Sequence, residues 1–230
     1  MSTPRIRAIV FDAGHTLLEM DYARVTEYLR ARGHEVAEAA VVAAEREARM
    51  RLDVEQAART TRVRTGQGRY VRYLLDALSI GDDDERRALV EWRRGFNVPI
   101  GLCRRADPEA AHALQRAREA GLAVGVISNS NGSVQRALEE AGLALQLDFV
   151  LDSTVVGVAK PNPRIFALGL EAAKARAEEC VYVGDSYFVD VVGARRAGWN
   201  AVLFDPGRIW PERECPVAED LCAAVDLALG

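Results

Sequence analysis

Five short runs dominated by apolar residues, at 6–11, 122–128, 148–151, 180–184 and 201–204, show neither helical spacing nor alternation. Runs of this length, bounded by turn residues, fit strands buried on both faces, as in a parallel sheet. Between them apolar residues recur at helical spacing. Ala110, Leu114 and Ala117 share one face, and Ile165, Leu168 and Ala172 share another. Asp107-Pro108 and Asn162-Pro163 read as helix starts, and Gly121, Gly142 and Gly198 as helix stops. Helices over 132–141 and 189–197 complete the alternation. The pattern predicts an α/β fold: a Rossmann-like parallel sheet with helices on both faces.

The stretch 20–98 breaks this rhythm. Glu, Arg and Ala dominate it, apolar residues recur at helical spacing, and no strand is evident. It reads as an all-helical insertion between the first and second strands, leaving 1–19 and 99–230 as the core. Within it, 61–70 (TRVRTGQGRY) reads as an Arg-rich loop broken by Gly66 and Gly68. A length of 230 residues suits one core with one insertion.

Composition adds little to this picture but excludes some functions. Apolar residues make up 49% and charged residues 28%, an ordinary globular balance. A net charge of −4 points to no nucleic-acid partner, and no apolar run has the length to cross a bilayer. The opening MSTPRIRAIVFDAG runs almost directly into a strand, without the pattern of a secretory signal. The four cysteines form no CxxC pair, so a reducing cytoplasm is the expected setting. Among the basic residues only Lys160 and Lys174 are lysine; the rest are arginine.

In an open parallel sheet, ligands bind outside the carboxyl ends of the strands. The residues there are Asp12, then Ser128-Asn129, then Asp185 with Asp190, while Lys160-Pro161 follows the third strand. Three carboxylates in one crevice repel unless a cation joins them, and hard oxygen donors suit Mg²⁺. Lys160 would add a compact positive charge, and Ser128 a hydroxyl donor to a phosphoryl oxygen. Such a set suits in-line phosphoryl transfer. Taken singly, each residue also has a plain structural role: Asp12 as a strand-ending acid, Asp185 as a helix cap, Asp190 as a surface acid, Ser128 as the start of a turn. Lys160 stands out because a basic residue here is nearly always arginine.

Four segments, FDAGHTLL at 11–18, VISNS at 126–130, KPNPRIF at 160–166 and VGDSYFVDVVGARRAG at 183–198, fall in order on these strand ends. Together they resemble the haloacid dehalogenase-like hydrolases along the whole chain. The resemblance implies that Asp12 is a nucleophile forming an aspartyl-phosphate and that Ser128 binds phosphate. Lys160 would bridge the two, and Asp185 would hold Mg²⁺ with support from Asp190. It implies that 20–98 is a helical cap closing over a small phosphorylated metabolite. Asn129 is a plausible contact to substrate or cap.

One position departs from the pattern. The phosphatase branch carries a second Asp, a general acid and base, where this chain has Gly14. The family's metal ligand at that position is a backbone carbonyl, which Gly14 retains. Loss of acid–base help is worth ~10²–10⁴-fold, so a weak or non-catalytic phospho-ligand-binding relative is an alternative. A metal-free 2-haloacid dehalogenase is a further one, disfavoured by the Asp185/Asp190 pair. A phosphonatase needs a cap lysine, and residues 20–98 contain none. His15 is a candidate replacement acid, although packing beneath the cap is the plainer role. Arg59, Arg62, Arg64, Arg69 and Arg72 either draw in an anionic substrate or form a solvated face; the abundance of arginine favours the latter.

Overall fold

The computed structural model describes residues 5–57, 67–96, 100–211 and 213–230. In chain order the elements are β1 (Ala8–Phe11), β2 (Leu18–Met20), α1 (Tyr22–Ala31), α2 (Glu38–Ala57), α3 (Gln67–Ala77) and α4 (Asp83–Phe96). There follow β3 (Cys103–Ala106), α5 (Ala110–Glu119), β4 (Ala123–Ser128), α6 (Val134–Glu140), β5 (Phe149–Asp152), α7 (Ser153–Val156) and α8 (Pro163–Ala173). The chain closes with β6 (Cys180–Gly184), α9 (Gly193–Arg196), β7 (Asn200–Phe204), β8 (Val217–Ala218) and α10 (Leu221–Leu229).

Six strands form a parallel sheet in the order β5-β4-β1-β6-β7-β8. β1 lies inside it, with Ala8 level with Ala123 on one side and Cys180 on the other. All four β1 residues are fully buried, which is why the segment reads as continuously apolar. Ile9 and Phe11 pack with Leu114, Val126 and Val225, a face covered by α5, α6 and α10. Ala8 and Val10 pack with Phe166, Tyr182 and Trp199 on the face covered by α8 and α9. Val25, Leu29, Val41, Leu74 and Leu89 form a separate apolar cluster within α1–α4. No helix among the described residues is long and apolar enough to cross a membrane.

The structure departs from the predicted elements in several places. Regular pairing of β1 begins at Ala8, not residue 6. β5 begins at Phe149; Asp148 before it donates its N–H to the Val124 carbonyl at 2.7 Å and accepts the Val124 N–H on its carboxylate at 2.8 Å. The expected helix over 189–197 is a π-helical turn, Tyr187–Val192, running into α9. An unpredicted antiparallel ribbon pairs Leu18 with Ala106 and Glu19 with Arg105. This ribbon brackets α1–α4: the chain leaves the sheet layer through β2 and returns through β3.

Candidate active site

β4, β1 and β6 are adjacent and parallel, so Ser128, Asp12 and Asp185 emerge along one edge. The loop before α8 brings Lys160 to the same point. Asn129 ties that loop in place, donating to the Lys160 carbonyl at 3.0 Å and accepting the Lys160 N–H at 2.8 Å. Lys160 Nζ then donates to Asp12 Oδ1, Asp190 Oδ1 and the Tyr182 hydroxyl, each at 2.7 Å. These three bonds use its full donor capacity. The Tyr182 hydroxyl in turn donates to the Ile127 carbonyl at 2.7 Å. Burial is the largest influence on Lys160 and opposes its charge. Attraction to Asp12 and Asp190 outweighs it, holding the ammonium pKa well above its usual value.

Carboxylate oxygens of Asp12, Asp185 and Asp190 lie within 4.8 Å of one another. Burial pushes Asp185 up to about 8; Arg49 acts against this, and the charges of Asp190 and Asp12 add to it. Burial likewise raises Asp190 to about 6, against the pull of Lys160. Such frustration among hard oxygen donors is what a divalent cation relieves, so the residues present fit Mg²⁺. Asp190 is the most constrained of the three. Its second oxygen accepts the Ser186 N–H at 3.0 Å, and the π-helical turn holds the side chain over Gly184. A Cβ at Gly184 would collide with the Asp190 carboxylate, so the GD step needs its glycine. The Asp185 carbonyl accepts Trp210 Nε1–H at 3.0 Å, fixing the backbone beside its carboxylate.

The helical layer contributes a stripe from α2, where Glu45, Arg49 and Asp53 recur at intervals of four residues. Arg49 Nη1 pairs with Asp185 Oδ2, and its Nε donates to Glu45 at 2.9 Å. Glu45 is fully buried and also accepts the hydroxyls of Tyr22 at 3.2 Å and Tyr70 at 3.1 Å. Asp53 accepts the N–H groups of Phe188 at 2.8 Å and Val189 at 3.1 Å, and the Ser186 hydroxyl. α2 therefore grips the turn that carries Asp190. Asp53→Ala would leave two partly buried N–H groups without their acceptor, at a cost of about 2 kcal/mol. Urea denaturation is expected to show that loss, and a smaller one for Asp53→Asn, which keeps one acceptor oxygen.

His15 sits at φ 61°, with Nε2 3.4 Å from Glu45 and 3.6 Å from Cys103 Sγ. Burial first, and then Arg49, push its pKa down to about 4, so its ring is neutral at pH 7. It packs under α2, in line with its plainer role. His15→Ala is accordingly expected to leave the dependence of turnover on leaving-group pKa unaltered; a steeper dependence would restore it as an acid. Gly14 lies beside β3, where a Cβ would make ordinary contact with Cys103 Sγ at 3.6 Å.

A cavity of about 340 Å³ is lined by Asp12, Ser128, Lys160 and Asp185 from the sheet side and by Arg49 and Asp53 from α2. The structure thus brings Asp12, Gly14, Ser128, Asn129, Lys160, Asp185 and Asp190 together around one cavity. Arg49, Glu45, Asp53 and Tyr182 were not foreseen. Tyr182 carried a signal, a hydroxyl inside a fully buried strand. Arg49 carried none among so many arginines. Of the arginines weighed for anion attraction, Arg59, Arg62 and Arg64 lie outside the described residues. Arg69 pairs with Glu55 at 3.2 Å, and Arg72 lies over the Tyr73 ring.

Several known proteins are similar to this chain. A phosphoserine phosphatase of Thermus thermophilus is 45% identical over 101 residues, a match spanning 44% of this chain and 41% of that protein. The chain thus matches well under half the length of this relative. Among solved structures, a dehalogenase with an intermediate complex has a TM-score of 0.70 at 22% identity, covering 100% of both chains. The HAD-hydrolase YfnB of Bacillus subtilis, bound to magnesium, has a TM-score of 0.72 at 18% identity, covering 98% of this chain and 99% of that one. At these identities the two structures speak for the fold alone. The family profile described as haloacid dehalogenase-like hydrolase matches residues 6–198, and the chain belongs to that family.

Proposed function

We propose that this protein is a Mg²⁺-dependent phosphatase that hydrolyses a small phosphate monoester through an aspartyl-phosphate on Asp12. The observation that carries this reading is the buried Lys160 ammonium bonded at once to Asp12 and Asp190, with Asp185 alongside. A nucleophilic carboxylate is there paired with a fixed cation, next to donors suited to a divalent metal. Asp12, Asp185 and the Gly14 carbonyl would hold Mg²⁺, which when bound supplies positive charge against the phosphoryl oxygens. Asp190 acts with them by positioning: one oxygen is committed to Lys160 and the other to the Ser186 N–H.

The chain's own residues then divide the work. Asp12 attacks phosphorus in line as the ester oxygen departs with the bonding pair. Lys160 orients the Asp12 carboxylate and offsets charge on the transferred group. The Ser128 hydroxyl donates to a phosphoryl oxygen, and Asn129 holds the Lys160 loop in register. Water subsequently attacks the acyl phosphate at phosphorus, releasing phosphate and restoring the Asp12 carboxylate. Without a carboxyl group at Gly14, the leaving oxygen takes its proton from solvent, which favours esters of acidic alcohols and phenols. Residues 20–98 serve as a helical cap, with α2 as its contact to the site. The phosphoserine phosphatase activity of the Thermus relative agrees with a phosphate ester as substrate.

Two other readings have specific support. The dehalogenase neighbour shares the fold, and a metal-free Asp12–Lys160 pair would also suit attack on a haloacid carbon. Gly14 favours a phospho-ligand-binding protein with little turnover. Release of nitrophenol from an aryl phosphate, assayed with Mg²⁺ and with a chelator, tests all three. Mg²⁺-dependent turnover supports the phosphatase; chloride release from 2-chloropropionate without metal supports the dehalogenase.

A further inference from the structure

A second cavity, of about 390 Å³, adjoins the carboxylate-lined one and shares Gly14, His15, Cys103, Ser128 and Asn129 with it. The two differ in charge. Asp12, Asp53, Asp185 and Asp190 line the first, whereas none of the described residues lining the second is acidic. His15 aside, the one ionisable side chain among the described residues of the second wall is Arg93, near the end of α4. The Arg93 guanidinium lies over the Tyr70 ring, 4.3 Å from its centroid. The Tyr70 hydroxyl is fixed by Glu45, so the stack that orients Arg93 is itself anchored. Arg93 Nη1 is buried and has no hydrogen-bond partner among the described residues. A desolvated guanidinium donor in that state is unfavourable, and an oxygen anion is the partner that suits it best. The same cavity is lined by the hydroxyl-bearing residues Ser130 and Ser133, and Ser128 lines both cavities.

We infer that the second cavity is an anion subsite in which Arg93 binds a second negative group of the substrate, a carboxylate or a phosphate. The group lies at the end remote from the phosphoryl being transferred. The inference rests on the phosphatase reading and narrows it to small phosphate esters that carry a second anion.

The test uses two matched pairs of esters: 3-phosphoglycerate with glycerol 3-phosphate, and propane-1,3-diyl bisphosphate with 3-hydroxypropyl phosphate. kcat and KM are measured for each with the wild-type protein, Arg93→Gln and Arg93→Lys. The wild type is expected to favour the doubly anionic member of at least one pair. Arg93→Gln is expected to reduce that preference by about 10- to 100-fold, mostly through KM, as for loss of a charge-assisted hydrogen bond. If Arg93→Gln fails to fold, the ratio is read in Arg93→Lys, where a fall of about threefold or more is expected. The pair showing the larger effect identifies carboxylate or phosphate. Calorimetric binding of the same esters to Asp12→Asn with Mg²⁺ separates the two levels of inference. Preferential binding that is lost with Arg93 substituted, without turnover by the wild type, upholds the subsite and rejects the phosphatase. Turnover with no preference, or a preference unchanged by substitution, overturns the subsite and leaves the phosphatase standing.

Discussion

Asp12→Asn is expected to lower turnover of an aryl phosphate by at least ~10³-fold, the scale on which removing a nucleophile acts. The amide matches the carboxylate in shape but does not form the acyl phosphate. Stability is expected to survive the change. Asp12 sits within 4.8 Å of two other carboxylates, so removing its charge relieves repulsion that raises both Asp185 and Asp190. Lys160 loses one anionic partner but keeps Asp190 and the Tyr182 hydroxyl, each at 2.7 Å. Thermal unfolding near the wild-type temperature, together with collapsed turnover, is therefore the expected result. An unaffected rate would mean that the chemistry does not pass through Asp12.

The second large effect is a gain. Gly14→Asp is expected to raise kcat for alkyl phosphates by ~10²-fold or more, the usual worth of a positioned general acid. The backbone admits the change: Gly14 is not among the residues of positive φ, and a Cβ there meets Cys103 Sγ only at 3.6 Å. Gly14 also lines both cavities, so a carboxyl at this position would sit where the two halves of an ester meet. The gain should be largest for poor leaving groups and small for nitrophenol, which departs without a proton. Steady-state rates over a series of leaving-group pKa values check this: the slope flattens if Gly14 is what limits the native protein. An unchanged slope would place the limiting step elsewhere.

The parts of the fold legible in the sequence share a physical cause. β1, β4 and β6 are buried nearly throughout, so apart from the Tyr182 hydroxyl their runs are apolar, and the functional residues stand out as polar groups at or just beyond the end of each run. Asn162 before Pro163 announced α8 because its side chain accepts the Arg164 N–H at 3.0 Å, as a helix cap must. What escaped was short or conditional on tertiary contact. β2 spans three residues and β3 carries two arginines, so neither has a strand's pattern; pairing with each other holds them. The π-helical turn has the composition of an α-helix, and its extra residue is fixed by Asp190 reaching Ser186 and by Asp53 reaching Phe188 and Val189. Nothing in the sequence separates Glu45 and Asp53 from the other charged residues of α2. Both are buried only because α2 lies against the site.

The central claim is the covalent role of Asp12. Its most direct test is rapid-quench mass spectrometry of the peptide carrying Asp12, during turnover of an aryl phosphate, with Mg²⁺ and with a chelator. A phosphate adduct on that peptide, formed only with Mg²⁺ and absent from Asp12→Asn, is the predicted result. Phosphate release at the full rate with no adduct at any quench time, and with Asp12→Asn equally active, would contradict it.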